Sequence, residues 1–242
     1  MSVLFISDLH LCSWRPEINR IFFDFLHGPA RDAQALYILG DLFEYWAGDD
    51  DQDDSFNASV MKALAGYSRS GPALYLMHGN RDFLVGRDFA KACNVQLIGD
   101  PHALELFRKP TLLMHGDTLC TDDKDYQRFR SEVRSPDWQK RFLAQPLAVR
   151  KGQIESLRHA SESEKQRKSP EIMDVNNETV EAVLREHGYP RLIHGHTHRP
   201  ARHEHRVDSR VCERWVLADW YRTGSYLLCS ESGCAPMQLG PS

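Results

Sequence analysis

"VLFISDLH", residues 3 to 10, joins four consecutive apolar residues to a serine, then sets an aspartate and a histidine two positions apart. An unbroken apolar run of this length reads as a strand buried on both faces, the arrangement of a sheet covered by helices. Residues at i and i+2 of an extended chain project to one side, so Asp8 and His10 can grip one centre at the strand's end.

Four further segments repeat the design: "YILGDLFEYW" carries Asp41, "YLMHGNRD" carries Asn80, "LLMHGD" carries His115 and Asp117, and "LIHGHTHRP" carries His194, His196 and His198. Ligands of open α/β sheets bind beyond the carboxyl ends of strands, so all five tips can converge on one crevice. Glycine at positions 40, 79, 116 and 195 lets the chain turn sharply beside them. Oxygen and imidazole donors without thiolate suit manganese, iron, zinc or magnesium. Seven ligands, Asp8, His10, Asp41, Asn80, His115, His196 and His198, exceed what one ion with open positions needs. Two ions bridged by one carboxylate, for which Asp41 is the choice, and by a water activated for attack on phosphorus would use them all.

Around these tips, short apolar runs (3–7, 35–40, 73–79, 103–107, 111–116, 191–195, 202–207, 214–220 and 225–229) alternate with helical patterns near Ile18 to Phe25, over 55–70 and over 175–187 behind Asp174 as N-cap. The class is α/β, and the late crowding of strands predicts mixed pairing. Residues 124–168 break the rhythm with helical spacing at Tyr126, Phe129 and Val133, then Trp138 and Phe142, then Ile154 and Leu157. This reads as a helical insertion at about 124–170 within one domain spanning 1–242. It holds twelve Lys and Arg against six Asp and Glu, a net +6 in a chain of net −4. Such a charge is either a solvated helical hairpin or a basic, aromatic-bearing cap that meets an anionic amphiphile or lipid surface.

With 242 residues, 41% hydrophobic and 26% charged, the chain can bury a sizeable core, and its negative charge argues against a general nucleic-acid coat. No apolar run reaches the ~18 residues of a membrane-spanning helix, and the start lacks the basic region of a signal peptide. Neither a phosphate-binding G-x-x-x-x-G-K-[ST] loop nor a G-x-G-x-x-G turn occurs. The six cysteines (Cys12, Cys93, Cys120, Cys212, Cys229, Cys234) form no C-x-x-C pair, which predicts reduced thiols in a cytosolic setting.

The blocks D-x-H, G-D, G-N-R-D, H-G and G-H-x-H, in this order, resemble those of the calcineurin-like metallophosphoesterase superfamily. Within it, "FISDLHL", "GDLFEYWAGDD", "HGNRDFLVG", "LLMHGDTLCTDD", "EIMDVN" and "LIHGHTHRP" resemble the branch that hydrolyses UDP-2,3-diacylglucosamine, over nearly the whole chain. The resemblance implies two mixed sheets flanked by helices, a helical cap, and cleavage to UMP and 2,3-diacylglucosamine 1-phosphate in lipid A synthesis. It implies one Mn2+ on Asp8, His10, Asp41 and His198, and a second on Asp41, Asn80, His115 and His196. Substrate contacts map onto Asn80, Arg81, Asp123, Ser161, Lys165, Lys168 and His196, with Asp41, Asn80, Arg81 and His196 catalytic. Peripheral attachment at the cytoplasmic face of a bacterial inner membrane, with no nucleic acid and no obligate protein partner, belongs to the same implication.

Many superfamily members have histidine where this chain has Arg81, which stays charged and cannot act as a general acid at neutral pH. It can instead hold phosphoryl oxygens, and Asp82 reads as a support behind the ligands. A phosphodiesterase or nuclease is the rival enzyme, disfavoured by the acidic main body. A non-catalytic scaffold is the third reading, and such a module has no need of all seven ligands.

Overall fold

The computed structural model describes residues 2–51, 54–165 and 172–240, the side chains of 159–165 excepted. In chain order the strands are β1 (Val3–Ile6), β2 (Ala35–Leu39), β3 (Ala73–Met77), β4 (Gln96–Ile98), β5 (His102–Leu106), β6 (Lys109–Met114), β7 (Arg191–His194), β8 (Ala201–Val207), β9 (Arg210–Val216), β10 (Gly224–Ser230) and β11 (Gly233–Leu239). The helices are α1 (Pro16–His27), α2 (Ser55–Arg69), α3 (Arg87–Cys93), α4 (Lys124–Val133), α5 (Pro136–Leu143), α6 (Leu147–Lys165) and α7 (Asn177–Glu186).

Both sheets are mixed, as the crowding of strands predicts. One runs β11-β10-β1-β2-β3-β4, with β1 to β4 parallel and β10 antiparallel to β1. The other runs β5-β6-β7-β9-β8, with β6, β7 and β9 parallel. Alternation along β1 explains its continuous apolarity: Val3 and Phe5 enter the core between the sheets, while Leu4 and Ile6 pack with Phe22 and Phe25 of α1 and Leu64 of α2. Across the second sheet, Leu112 and Leu192 meet Val180 and Leu184 of α7. The layers are therefore helix, sheet, sheet, helix, and the parallel strands send their carboxyl ends to one side.

Several boundaries differ from expectation. The helix α7 starts at Asn177, capped by Asn176, whose side chain accepts from Thr179 N at 3.0 Å. Asp174 instead pairs with Arg199, so it is not the cap. The expected strand 214–220 ends at Val216: Leu217 N gives the last bond to β7, at His194 O, and the chain then turns so that Trp220 N donates to Asp8 O. Cys229 and Cys234 are bonded as a disulfide, contrary to the expectation of reduced thiols throughout, because the β10–β11 hairpin sets them directly opposite. The other four cysteines are free and buried.

The expected insertion is helical: α4, α5 and α6 fill 124–165. Much of its positive charge faces the acidic body rather than solvent. Arg130 Nε donates to Asp117 at 2.7 Å, Arg134 to the carbonyl of Gly79 at 2.8 Å, and Lys151 pairs with Asp51 at 2.6 Å. Arg150, 1% exposed, binds Asp50 and the carbonyl of Ala47. These contacts seat the three helices over the ends of the parallel strands.

Candidate metal centre and its cavity

The loops leaving β1, β2 and β7 hold their polar residues in an unusual backbone. Asp8, His10, Asp41, His196 and His198 have φ of 55°, 50°, 54°, 68° and 55°. Side-chain-bearing residues rarely occupy this left-handed region, and such outliers gather where surrounding structure forces a functional geometry. Here the force comes from stitching between loops: Asp8 N donates to Gly40 O and His10 N to Asp41 O, at 3.1 and 3.0 Å. Glycine is required beside them. A Cβ at Gly79 would strike Asp41 Oδ1, and one at Gly195 would strike Ser7 Oγ and Asp8 Oδ2.

Asp8 Oδ2 accepts from Ser7 Oγ at 2.6 Å and His196 N at 2.9 Å, which leaves Oδ1 facing His198 Nε2 at 3.3 Å. Asp41 lies between two groups of donors, with Oδ2 3.7 Å from His10 Nε2 and Oδ1 3.9 Å from His115 Nε2. Asn80 Oδ1 meets both His115 Nε2 at 3.0 Å and His196 Nδ1 at 2.9 Å. Three histidines follow one rule: His115 directs Nδ1 to Leu39 O at 2.8 Å, His10 to Glu44 at 3.1 Å and His198 towards Asp219 at 3.7 Å. Each then turns Nε2 inward, which is how metal-binding imidazoles are oriented. Ligand atoms of Asp8, His10 and His198 lie within 4.8 Å of one another, as do those of Asp8, Asp41 and His115. Both ring nitrogens of buried His10, and Asp8 Oδ1, have no partner in hydrogen-bond geometry, so donor type, spacing and unmet bonding capacity all fit a divalent cation.

The electrostatics agree. Burial pushes the Asp8 carboxyl up, yet His198, His115 and His10 hold it well below the usual carboxylate range. Burial pulls His115 down, but Asp41, Asp117 and Asp8 raise it to about 9. His196, lowered by burial and by His115, falls to about 4. The enclosed carboxylates thus draw positive charge to the centre.

Two candidates stand apart. Asp117 turns its Oδ2 to Tyr126 Oη and Arg130 Nε, both at 2.7 Å, and anchors the cap. His194 bonds Gly195 O at 2.9 Å and Arg214 at 3.1 Å behind the centre. Burial and the arginine lower its pKa to about 3. Asp82 is the support expected of it, fully buried and bonded to the N–H of Gly79, Asp41 and Leu42.

A cavity of about 470 Å³ opens from the centre under the cap. Its polar end holds His10, Asp41, Asn80, His196 and His198, and Arg81 forms part of its wall with a buried, unpartnered Nε. Phe83, Leu84, Phe129, Val133, Ile154 and Leu157 make the other part apolar. Of the cap aromatics, Phe142 is core, stacked on Trp138 at 4.7 Å, while Phe129 is 39% exposed. Tyr126 lies 5.8 Å from the ring of His196. Asp123 lines the cavity and caps α4 by accepting from Tyr126 N at 3.1 Å. Lys168 and the side chains of Ser161 and Lys165 lie outside the described residues. The sequence reading missed Glu44, Arg158 and Tyr221, which contact His10 or one another. Only the position of Glu44 three residues after Asp41 hinted at a part in the site.

The calcineurin-like phosphoesterase family matches residues 1–200. A protein of Aromatoleum aromaticum named UDP-2,3-diacylglucosamine hydrolase is 58% identical over 233 residues, covering 96% of this chain and 95% of its own. One of the same name from Cellvibrio japonicus is 50% identical over 235 residues, covering 97% and 98%. Among solved structures, a novel archaeal phosphodiesterase aligns over 99% of this chain and all of its own at TM-score 0.48 and 13% identity, too weak a likeness to add weight.

Proposed function

We propose that this chain, which belongs to the calcineurin-like phosphoesterase family, hydrolyses the diphosphate of UDP-2,3-diacylglucosamine to UMP and 2,3-diacylglucosamine 1-phosphate, water attacking the α-phosphorus. The observation that carries the reading is the single cavity that joins a cation-binding end to an apolar arm roofed by the cap. A diphosphate with two acyl chains needs both halves, whereas a cyclic nucleotide or DNA end has no use for the apolar one. The names of the relatives support the same substrate.

Asp8, His10, Asp41, Asn80, His115, His196 and His198 would hold two Mn2+, which when bound supply Lewis-acid charge and lower the pKa of water. Arg81, on the wall beside Asn80, is placed to bind phosphoryl oxygens and stay charged as negative charge builds on them. A phosphate monoester leaves without needing a proton at the moment of cleavage, so the lack of a histidine at Arg81 costs little. The helices α4 to α6 cover the apolar arm and keep bulk water from the acyl chains. Ser161, Lys165, Lys168 and Asp123 are assigned to substrate binding by resemblance. Peripheral attachment at the inner face of a bacterial inner membrane suits a lipid substrate, and among described residues no helix is long and apolar enough to cross a membrane.

Purified protein incubated with UDP-2,3-diacylglucosamine should release UMP with Mn2+ and stop when a chelator is added. Turnover of a cyclic nucleotide but not of the lipid nucleotide would contradict the substrate.

A further inference from the structure

Buried Glu44 takes no part in the chemistry above. Its Oε2 stands 3.1 Å from His10 Nδ1, and its Oε1 accepts from Arg158 Nε at 3.0 Å with Nη2 also 3.0 Å away. Since Arg158 belongs to α6, one carboxylate joins the cap to a residue proposed to hold metal.

An imidazole offers Nε2 to a cation only when its proton sits on Nδ1, and that proton needs an acceptor. For His10 the carboxylate within reach is that of Glu44, whose Oε2 lies 3.1 Å from Nδ1, although the two do not meet in hydrogen-bond geometry here. Tyr221 steadies the ring by stacking at 5.4 Å and 11°, and Arg15 holds the His10 carbonyl at 3.2 Å, but neither fixes the tautomer. Arg158 is itself located by the body, its guanidinium 5.3 Å from the ring of Trp14 and 5.8 Å from that of Tyr45. The carboxylate therefore has one oxygen for the ligand and one for the cap.

We propose that Glu44 is a positioning residue that fixes His10 for the cation, and that Arg158 makes cation affinity depend on the cap being seated. The proposal rests on the metal reading of the centre. Coupling of this kind is reciprocal: seating the cap tightens the cation, and the cation tightens the cap.

The test is a Mn2+ titration of chelator-stripped, full-length protein, read by loss of the free Mn2+ paramagnetic resonance signal. Wild type, Glu44→Gln, Glu44→Ala, Arg158→Ala and the Glu44→Gln/Arg158→Ala pair are compared. Glu44→Ala should weaken one Mn2+ by ~10–100-fold, the range for losing a partner behind a metal-binding histidine. Glu44→Gln keeps an acceptor oxygen for Nδ1 but loses the charge that holds Arg158, so it should weaken the same ion by roughly 5-fold, as should Arg158→Ala, and the pair should do no worse than either. Proteolysis within α6 should slow on adding Mn2+ to wild type but not to Arg158→Ala. Wild-type affinity in Glu44→Gln, or full addition of the two effects, would overturn the proposal even if Glu44→Ala failed to fold. Wild-type protein that bound no Mn2+ would sink the metal reading with it, whereas normal wild-type binding and unchanged variants would sink this inference alone.

Discussion

The carboxylate of Asp82 accepts the backbone N–H of Leu42 at 2.8 Å and so binds the loop after β3 to the loop after β2 that carries Asp41. It also takes the N–H of Gly79 at 2.8 Å and of Asp41 at 3.3 Å. Truncation would strand these donors away from water. Asp82→Ala should lose about 2–4 kcal/mol in urea unfolding, since each orphaned buried donor costs ~1–3 kcal/mol and the loops can relax in part. Wild-type stability in this variant would show that the loops hold each other without it.

Arg81 points the opposite way, into the cavity. Arg81→His should lower kcat by roughly 10²–10³-fold, the usual loss on removing one donor aimed at developing negative charge. The remaining rate should show no new alkaline limb from loss of an imidazolium proton, because the leaving phosphate needs none. A pH–rate profile of the variant with such a limb would argue that protonation of the leaving group matters after all.

Phe129 lines the apolar arm from an exposed position on α4, so replacing it should spare the core. Phe129→Asp should raise KM for the diacylated substrate by about tenfold or more, in line with ~1.5–3 kcal/mol for an apolar side chain buried against a partner. The rate on an analogue without acyl chains should be unchanged. Equal effects on both substrates would mean that the arm does not receive the chains.

Asp100 gives a pH signature. Its buried oxygens have no hydrogen-bond partner, and burial together with Asp117 raises its carboxyl to about 6. The folded state therefore holds this proton more tightly than the unfolded chain. The associated stability is fully present below about pH 4 and is lost as pH rises through 6. Asp100→Asn stays neutral, so between pH 4 and 7.5 it should gain roughly 2–3 kcal/mol relative to wild type. Parallel stability curves for the two proteins would refute the shift.

The proposed ligands were legible because each follows a strand whose apolar run announces itself, but they come from both sheets, β1, β2 and β3 of one and β6 and β7 of the other, and the stacking that brings those ends together was not. The backbone that presents them was not, since nothing in "SDLH" signals positive φ at Asp8 and His10. β11 escaped because Gly233 and Pro236 interrupt its pattern, and proline is tolerated there only because the strand lies at the sheet's edge. β4 and α3, of 3 and 7 residues, are too short for periodicity to show. The helices of 124–165 were legible from their spacing, but charge count could not say that Arg130, Arg134, Arg150 and Lys151 spend their donors on the body. Glu44 was missed for a related reason: its partners His10 and Arg158 lie 34 and 114 residues away.

Heavy-oxygen labelling tests the central claim most directly. Turnover of UDP-2,3-diacylglucosamine with Mn2+ in water enriched in oxygen-18 should place the label in UMP. Label in 2,3-diacylglucosamine 1-phosphate, or no turnover at all, would contradict the account.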